Sequence, residues 1–199
     1  MSLSVHLDHP DFSALPADGL DWQVEKLNWR LPGGAESAAL TATLPDADAQ
    51  PCLQRLDEYL GRPLRVLDAQ GRIFWHGWVE SVSCHAGHWE TRRTLQGLCN
   101  RAACRYPLEA YSAQAASLEQ QWSAWRVSDW HTEANSLRRF GRFEQLDSLP
   151  MGDAHLAQQT ARMRSSAASA WPRESSLFKK NAPAQGLRVG LTARGWWQR

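Results

Sequence analysis

Hydrophobic and polar positions alternate most clearly in the segment RPLRVLDAQGRIFWHGWVESV, residues 62–82. The run PLRVL predicts a first strand, and DAQG predicts a tight turn into a second strand. Gly77 lies between Trp75 and Trp78, where a missing side chain lets a neighbouring backbone come close or lets the strand bend. Strict alternation along the second strand separates two faces, with Ile73, Trp75, Gly77, Val79 and Ser81 on one and Phe74, His76, Trp78, Glu80 and Val82 on the other.

Shorter patterns predict the remaining elements. Strands are expected at 20–31, 38–44, 88–98, 142–146 and 187–197, and helices at 51–60, partly within 117–127, at about 129–140 and at 154–171. Asp129 or Thr132 is a suitable cap for the short third helix, which Gly141 is expected to end. Asp153 is a suitable cap for the fourth helix. The polar residues 173–185 predict a loop.

These elements predict a β-rich α+β protein with two modules. Residues 1–19 form a lead-in, and residues 20–105 form a partly closed β-barrel module with one helix. Residues 106–199 form a second, smaller α/β module with two helices and a terminal strand. That strand needs a neighbour to pair with, so it either closes the sheet of this domain or indicates that the natural protein continues. We favour continuation, which leaves the second module incomplete.

Composition and charge exclude several classes of protein. The chain of 199 residues is long enough to bury a core, and its net charge of +1 gives no field that favours nucleic acid or an anionic membrane surface. No apolar run approaches the roughly 18 residues that span a bilayer. The N-terminus lacks the pattern of a secretion signal, so the four cysteines are expected as free thiols. The eleven tryptophans are unusual, and they suggest packing or interface anchors.

Catalytic and metal-binding motifs are weak in this sequence. It has no Gly-x-Ser-x-Gly, no His-Glu-x-x-His and no phosphate-binding loop. Cys84, His88, Cys99 and Cys104 are the only candidates for a metal site, and the spacing between the last two is unusual for structural zinc. We therefore expect no catalytic residue, no cofactor and no metal, and we interpret the chain as a protein that is not an enzyme.

Three co-linear segments resemble a known family. They are the hairpin segment above, the run LQGLCNRAACRY, and EANSLRRFGRFEQLDSL followed by the Ala-rich LAQQTARMRSSAASAWP. Over residues from about 20 to 172 the chain resembles the N-terminal portion of tail hub proteins of tailed phages. These are baseplate or tail-tip components related to late-control D proteins and to siphophage minor tail proteins. Ser136, Phe140, Gly141 and Glu144 match the family element Ser-hydrophobic-x-x-aromatic-Gly-x-x-Glu.

The resemblance implies a structural role in a virion tail or phage-like particle, assembled in the bacterial cytoplasm. Hub subunits form a ring, with a trimer favoured here, between the tail tube and the spike or fibre. Polar strand faces would line a channel through which DNA passes, and an acidic or neutral lining resists DNA less than a basic one. No membrane partner is implied. The interface or packing residues would be Trp75, Trp78, Phe140, Gly141, Glu144, Trp196 and Trp197.

The alternative is an aromatic-rich carbohydrate-binding module. Its stacking platform would draw on Trp75, Trp78, Trp89, Trp122, Trp125 and Trp130, or on Trp22, Trp29 and the Trp196-Trp197 pair. Trp75 and Trp78 are three positions apart on a strand and point to opposite faces, so at least one is expected in a core or interface. Because aromatic residues are also enriched at protein interfaces, assembly is the favoured interpretation.

Overall fold

The structure, a computed structural model, describes residues 3–9, 20–44, 58–107, 125–150, 152–166, 169–178 and 187–196. The chain divides into two compact units, of which the first comprises residues 1–96 and 173–199 and the second residues 97–172. In chain order the strands are β1 (Ser4–Leu7), β2 (Gln23–Arg30), β3 (Gly34–Thr43), β4 (Pro63–Leu67), β5 (Ile73–Ala86), β6 (Trp89–Thr94), β7 (Arg101–Pro107), β8 (Trp125–Val127), β9 (His131–Thr132), β10 (Glu144–Ser148), β11 (Arg173–Phe178) and β12 (Arg188–Gly195). The helices are α1 (Ala134–Phe140) and α2 (Ala154–Arg164).

The first unit is an antiparallel sheet organised around the long strand β5. The strand β12 pairs along one edge of β5, while β4 and β6 share the other edge. The main order is β1-β4-β5-β12-β3-β2, and β6 continues to β11. The predicted hairpin is confirmed as β4 and β5. In its turn the Asp68 carboxylate accepts hydrogen bonds of 2.9 Å from the backbone N–H groups of Gln70 and Arg72.

One face of this sheet carries the core, and a β-bulge sets which residues reach it. The ladder between β5 and β12 passes over Glu80, which has no register partner on β12. Val79 and Val82 therefore both face the core, although side chains three positions apart lie on opposite faces of a regular strand. The strict alternation predicted for β5 is therefore wrong beyond Glu80. The large core side chains are Leu40, Leu64, Val66, Trp75, Val79, Val82, Val189 and Leu191.

The β-rich α+β class is confirmed, but the predicted partly closed barrel is wrong. Among the strands of the described ranges, β2 ends the sheet on one side and β1 and β11 end it on the other, with no ladder joining them. A barrel closes only when its end strands pair, so this sheet is open. The helix predicted at 51–60 lies outside the described residues apart from its last three positions.

Two late strands return to the first unit, which differs from the predicted division at residue 105. The strand β11 occupies part of the predicted loop 173–185 and pairs with β6. The strand β12 confirms the strand expected at 187–197 and lies in the middle of the sheet, between β3 and β5. The predicted lead-in contributes β1, which pairs with β4. These pairings join residues far apart in sequence, so local patterns did not indicate them.

The second unit is a four-stranded sheet with β7 at its centre. The strand β10 pairs with one edge of β7 in parallel, while β8 and β9 pair with the other edge in antiparallel orientation. The helix α2 packs on one face through Ala157, which contacts Cys104 and Tyr106 of β7. Residues 125–127, at the end of the segment 117–127 that was predicted to be partly helical, form β8 and pair with the end of β7.

Within the described ranges, both α1 and α2 begin at a capping side chain. Asp153 caps α2 as predicted, since its carboxylate accepts the N–H groups of His155 and Leu156 at 2.8 and 3.0 Å. The cap of α1 is Glu133, not Asp129 or Thr132. The helix α2 ends at Arg164, seven residues before the predicted end, and the hydroxyl of the next residue, Ser165, donates a hydrogen bond of 3.0 Å to the carbonyl of Ala161. In the described part of the chain no helix has the length and apolar character to span a membrane.

Candidate functional site

The two tryptophans of β5 are packing residues of the first unit. Trp75 is 1% exposed and Trp78 is 3% exposed, and they lie on opposite faces of the strand. Trp75 faces the core, where its register partner on β4 is the buried Val66. Neither indole is available to stack on a ligand, so these residues cannot form the predicted sugar platform.

Gly77 lies between these tryptophans where β12 comes close. A Cβ atom at this position would be 2.5 Å from Cη2 of Trp75 and 2.8 Å from the carbonyl carbon of Arg194. These distances are too short for carbon atoms, so the position requires glycine. The close approach of a neighbouring backbone, predicted from the sequence, is confirmed.

The face of the first sheet opposite the core carries charges that are mostly paired. Arg188 of β12 forms an ion pair with Glu25 of β2. Arg194 lies 2.9 Å from the carboxylate of Glu80, and Arg92 donates a hydrogen bond of 3.1 Å to a serine hydroxyl of β5. Two of these three arginines are therefore paired with carboxylates, and the buried Trp78 lies on the same face.

The strands at the ends of the first sheet have exposed edges. All six residues of β11 are exposed, and within the described ranges β11 pairs only with β6. At the end of this pair the rings of Trp89 and Phe178 are in contact, with centroids 5.1 Å apart, and both side chains are exposed. At the other end of the sheet Trp29 of β2 contacts Phe74 of β5, with centroids 5.2 Å apart.

Phe140 and Gly141 lie where α1 leads to β10. Phe140 is buried and meets Trp171 edge to face, with ring centroids 5.7 Å apart. Gly141 has a φ of +81° and donates its backbone N–H to the carbonyl of Leu137, so it ends α1 as predicted. Both residues have structural roles inside the second unit.

A buried asparagine organises the same region. Asn100 is fully buried, and its amide nitrogen donates hydrogen bonds to the carbonyl of Gly141 at 2.7 Å and to the hydroxyl of Ser136 at 3.2 Å. Its side-chain oxygen accepts the backbone N–H of Phe143 at 2.9 Å. The start of β7 is thereby bound to α1 and to the segment before β10.

The face of the small sheet opposite α2 combines arginine and tryptophan side chains. Arg101 and Arg105 point to this face, because Cys104 points to the helix side and side chains alternate along β7. The guanidinium of Arg101 lies 4.5 Å from the ring centroid of Trp130, and that of Arg105 lies 5.3 Å from the centroid of Trp125. We call these four residues the Trp–Arg face.

The charges on the Trp–Arg face are only partly neutralised. Glu144 forms an ion pair with Arg101 and lies 3.6 Å from Arg142. Arg105 donates a hydrogen bond of 2.5 Å to the Ser148 hydroxyl. No carboxylate of the described segments pairs with Arg105, so this face carries an excess of positive charge.

The tryptophans of this face are accessible. Trp125 is 48% exposed and Trp130 is 39% exposed, and the nearby Leu146 is also exposed. Both tryptophans belong to the platform predicted from the sequence, which contained no arginine. The signal was present in the run RAACRY, where strand alternation places Arg101 and Arg105 on one face.

The remaining predicted residues do not converge on a site. Trp196 is half-buried after β12, while Trp197 and Trp122 lie outside the described residues. Cys84 is in the first unit and Cys99 and Cys104 are in the second, all three as buried free thiols.

The metal candidates do not form a cluster. Desolvation on burial raises the pKa of the Cys99 and Cys104 thiols, which disfavours the thiolate that a metal requires. His88 contacts the ring of Phe178, with centroids 5.7 Å apart. Across the described ranges, no three His, Cys, Asp or Glu side chains come together in a way that would hold a metal ion.

Comparisons of this chain with protein-family models, with curated proteins and with solved structures find no match. The resemblance to tail hub proteins therefore stays a prediction from the sequence.

Proposed function

We propose that this protein is a structural, non-catalytic subunit of a tail hub or baseplate in a phage or phage-like particle. It assembles into a homo-oligomeric ring, with a trimer favoured, that connects the tail tube to the spike or fibre. The observation that carries this proposal is the open sheet of the first unit, which has one polar face with paired charges and two different exposed ends.

A ring forms when one surface of each subunit binds a different surface of the next, and the rotation closes. The first sheet offers two such surfaces, since β2 at one end and β11 at the other each have a single neighbour among the described strands. Monomeric proteins usually cover or charge their edge strands. The strand β11 carries the charged residues Arg173 and Glu174 at its start but ends in the exposed apolar residues Leu177 and Phe178.

The polar face of the same sheet suits the wall of a DNA channel. Duplex DNA carries about one charge per 1.7 Å of its axis, so a basic wall would bind it strongly. The pairs Arg188–Glu25 and Arg194–Glu80 lower the positive charge of this face. A channel lined in this way lets DNA pass with weak attraction.

The test is the solution mass of the purified chain, measured by light scattering over a range of protein concentrations. We expect a discrete trimer. The variant Leu177→Lys places a charge on the exposed edge of β11 and should shift the mass towards that of a monomer. Met163→Lys is the matched control, because Met163 is also exposed but lies on α2, which belongs to the second unit. A monomeric mass at every concentration, or equal masses for the two variants, would contradict assembly through this edge.

A second candidate function, carbohydrate binding, is favoured by one observation. Trp125 and Trp130 are exposed on the same face of the small sheet, each beside an arginine. The platform of this candidate is smaller than the sequence predicted, because Trp75 and Trp78 are buried. Retention of the chain by immobilised polysaccharides, and its loss in a Trp125→Ala/Trp130→Ala variant, would test this candidate.

A further inference from the structure

We propose that the Trp–Arg face binds an acidic polysaccharide, a polymer in which at least some of the sugars carry a carboxylate. The inference rests on the second candidate function, carbohydrate binding, and it is independent of the assembly proposal. It names the ligand class from the charge, spacing and accessibility of four side chains of the second unit.

The spacing of the two Trp–Arg pairs suits an extended ligand. Arg101 and Arg105 are four residues apart on β7, which at about 3.3 Å per residue places them about 13 Å apart. Each guanidinium lies close to its own tryptophan ring, at 4.5 and 5.3 Å. A small molecule would contact one pair, whereas a polymer that crosses this face contacts both.

Each pair combines the two chemistries that an acidic sugar requires. An exposed indole gives a flat apolar surface for the C–H face of a sugar ring. A guanidinium presents planar donors that match a carboxylate in a bidentate contact. Arg105 is best placed for this role, because its partners within the described ranges are the ring of Trp125 and the hydroxyl of Ser148, and neither carries a negative charge.

The amount of charge favours a sparsely charged polymer over a nucleic acid. In duplex DNA each strand carries a phosphate about every 3.4 Å along the helix axis, so about four phosphates of one strand would cross the distance between the two arginines. Among the described residues, the ion pairs and hydrogen bonds of this face involve three arginines, Arg101, Arg105 and the nearby Arg142, and one carboxylate, Glu144. Glu144 would also repel a continuous row of phosphates. A polymer with neutral sugars between its carboxylates avoids that repulsion.

The experiment is native affinity electrophoresis of the full chain in gels that contain polygalacturonate, alginate or hyaluronan. Neutral dextran serves as the comparison, and a thymidine oligonucleotide is tested by mobility shift. We expect at least one acidic polymer to retard the protein, with a dissociation constant about ten-fold weaker for Arg105→Gln and for each of Trp125→Ala and Trp130→Ala. Trp89→Ala is the matched control, since Trp89 is similarly exposed but lies in the first unit and should bind normally.

The possible outcomes distinguish failure of the acidic-polysaccharide proposal from failure of the carbohydrate-binding function on which it rests. Retardation by dextran as strong as by the acidic polymers, lost in the Trp125→Ala/Trp130→Ala variant, would keep carbohydrate binding and overturn the acidic ligand. No retardation by any of the four polymers would overturn both. Tighter binding of the oligonucleotide, or equal binding by the variants and the native chain, would also overturn the inference. Circular dichroism of each variant verifies that its fold is intact.

Discussion

Replacing Asn100 with alanine should destabilise the second unit more than any other single polar substitution in it. The fully buried amide makes three hydrogen bonds, to Ser136, Gly141 and Phe143, which lie up to 43 residues away in sequence. Each buried hydrogen bond contributes about 1 kcal/mol to stability, so the three contribute about 3 kcal/mol. The change also removes the side chain that connects β7 to α1.

The assay must report on the second unit alone, because a chain with two compact units need not unfold in one transition. Amide hydrogen exchange of peptides that cover β7 and α1 meets this need. A loss of about 3 kcal/mol corresponds to exchange that is about a hundred-fold faster in these peptides. Peptides from β3 and β12 in the first unit should exchange as in the native protein.

Two variants make the interpretation specific. Asn135→Ala is the matched control, because Asn135 is exposed on α1 and its loss should change stability by less than about 0.5 kcal/mol. Asn100→Asp keeps the acceptor for Phe143 but replaces the donors with a buried carboxylate that faces the Gly141 carbonyl, so it should destabilise as much as alanine. If Asn100→Ala costs less than about 1 kcal/mol, the network does not hold the unit together as we argue.

Three further predictions concern the turn, the strand contacts and the thiols. The backbone N–H of Arg72, its guanidinium and the N–H of Gln70 hold the pKa of Asp68 below its usual value. The Asp68 carboxylate therefore stabilises the hairpin above about pH 4, and this contribution is lost as the pH falls through the lower native pKa. Asp68→Asn should lower the melting temperature at pH 7 and flatten the decline of the melting temperature below about pH 4. Gly77→Ala should lower the free energy of unfolding, measured by denaturant titration, by at least about 3 kcal/mol, because backbone atoms of β12 occupy the space of the new Cβ atom. Gly190→Ala should lower it less, because the nearest neighbour of that position is a serine hydroxyl that can rotate. Equal losses in the two variants would contradict this packing. In a Cys52→Ser variant the remaining thiols are the buried Cys84, Cys99 and Cys104, so in the native protein they should react with Ellman's reagent at least about ten-fold more slowly than in the denatured protein. A fast reaction of the native protein would show that these cysteines are accessible.

Elements with strong local signals were predictable from the sequence. The hairpin around Asp68 has both alternation and turn chemistry, and the structure forms it as β4 and β5. The cap of α2 at Asp153 and the end of α1 at Gly141 follow from backbone preferences of single residues. In each case the interactions that decide the structure lie within a few residues, where the sequence alone is informative.

Elements that depend on distant partners were not predictable in the same way. The residues of β11 are all exposed and show no alternation, so only their pairing with β6 makes them a strand. The central position of β12 is also a long-range property, because its two neighbours, β3 and β5, are separated from it by more than a hundred residues. Local patterns describe how a segment can fold, while the order of strands in a sheet depends on which segments meet.

The same limit applies to the candidate sites, and β5 shows why. Strict alternation assigned Val82 to the face of Trp78, but the bulge at Glu80 returns Val82 to the core face of Trp75. One extra residue therefore reverses the face of every later side chain, and no local pattern in this strand indicates it. The strand β7 has no such irregularity along its ladder with β10, so alternation in RAACRY places both arginines on one face. The Trp–Arg face was accessible to sequence reasoning because its strand is regular, whereas the faces of β5 required the register of its partner.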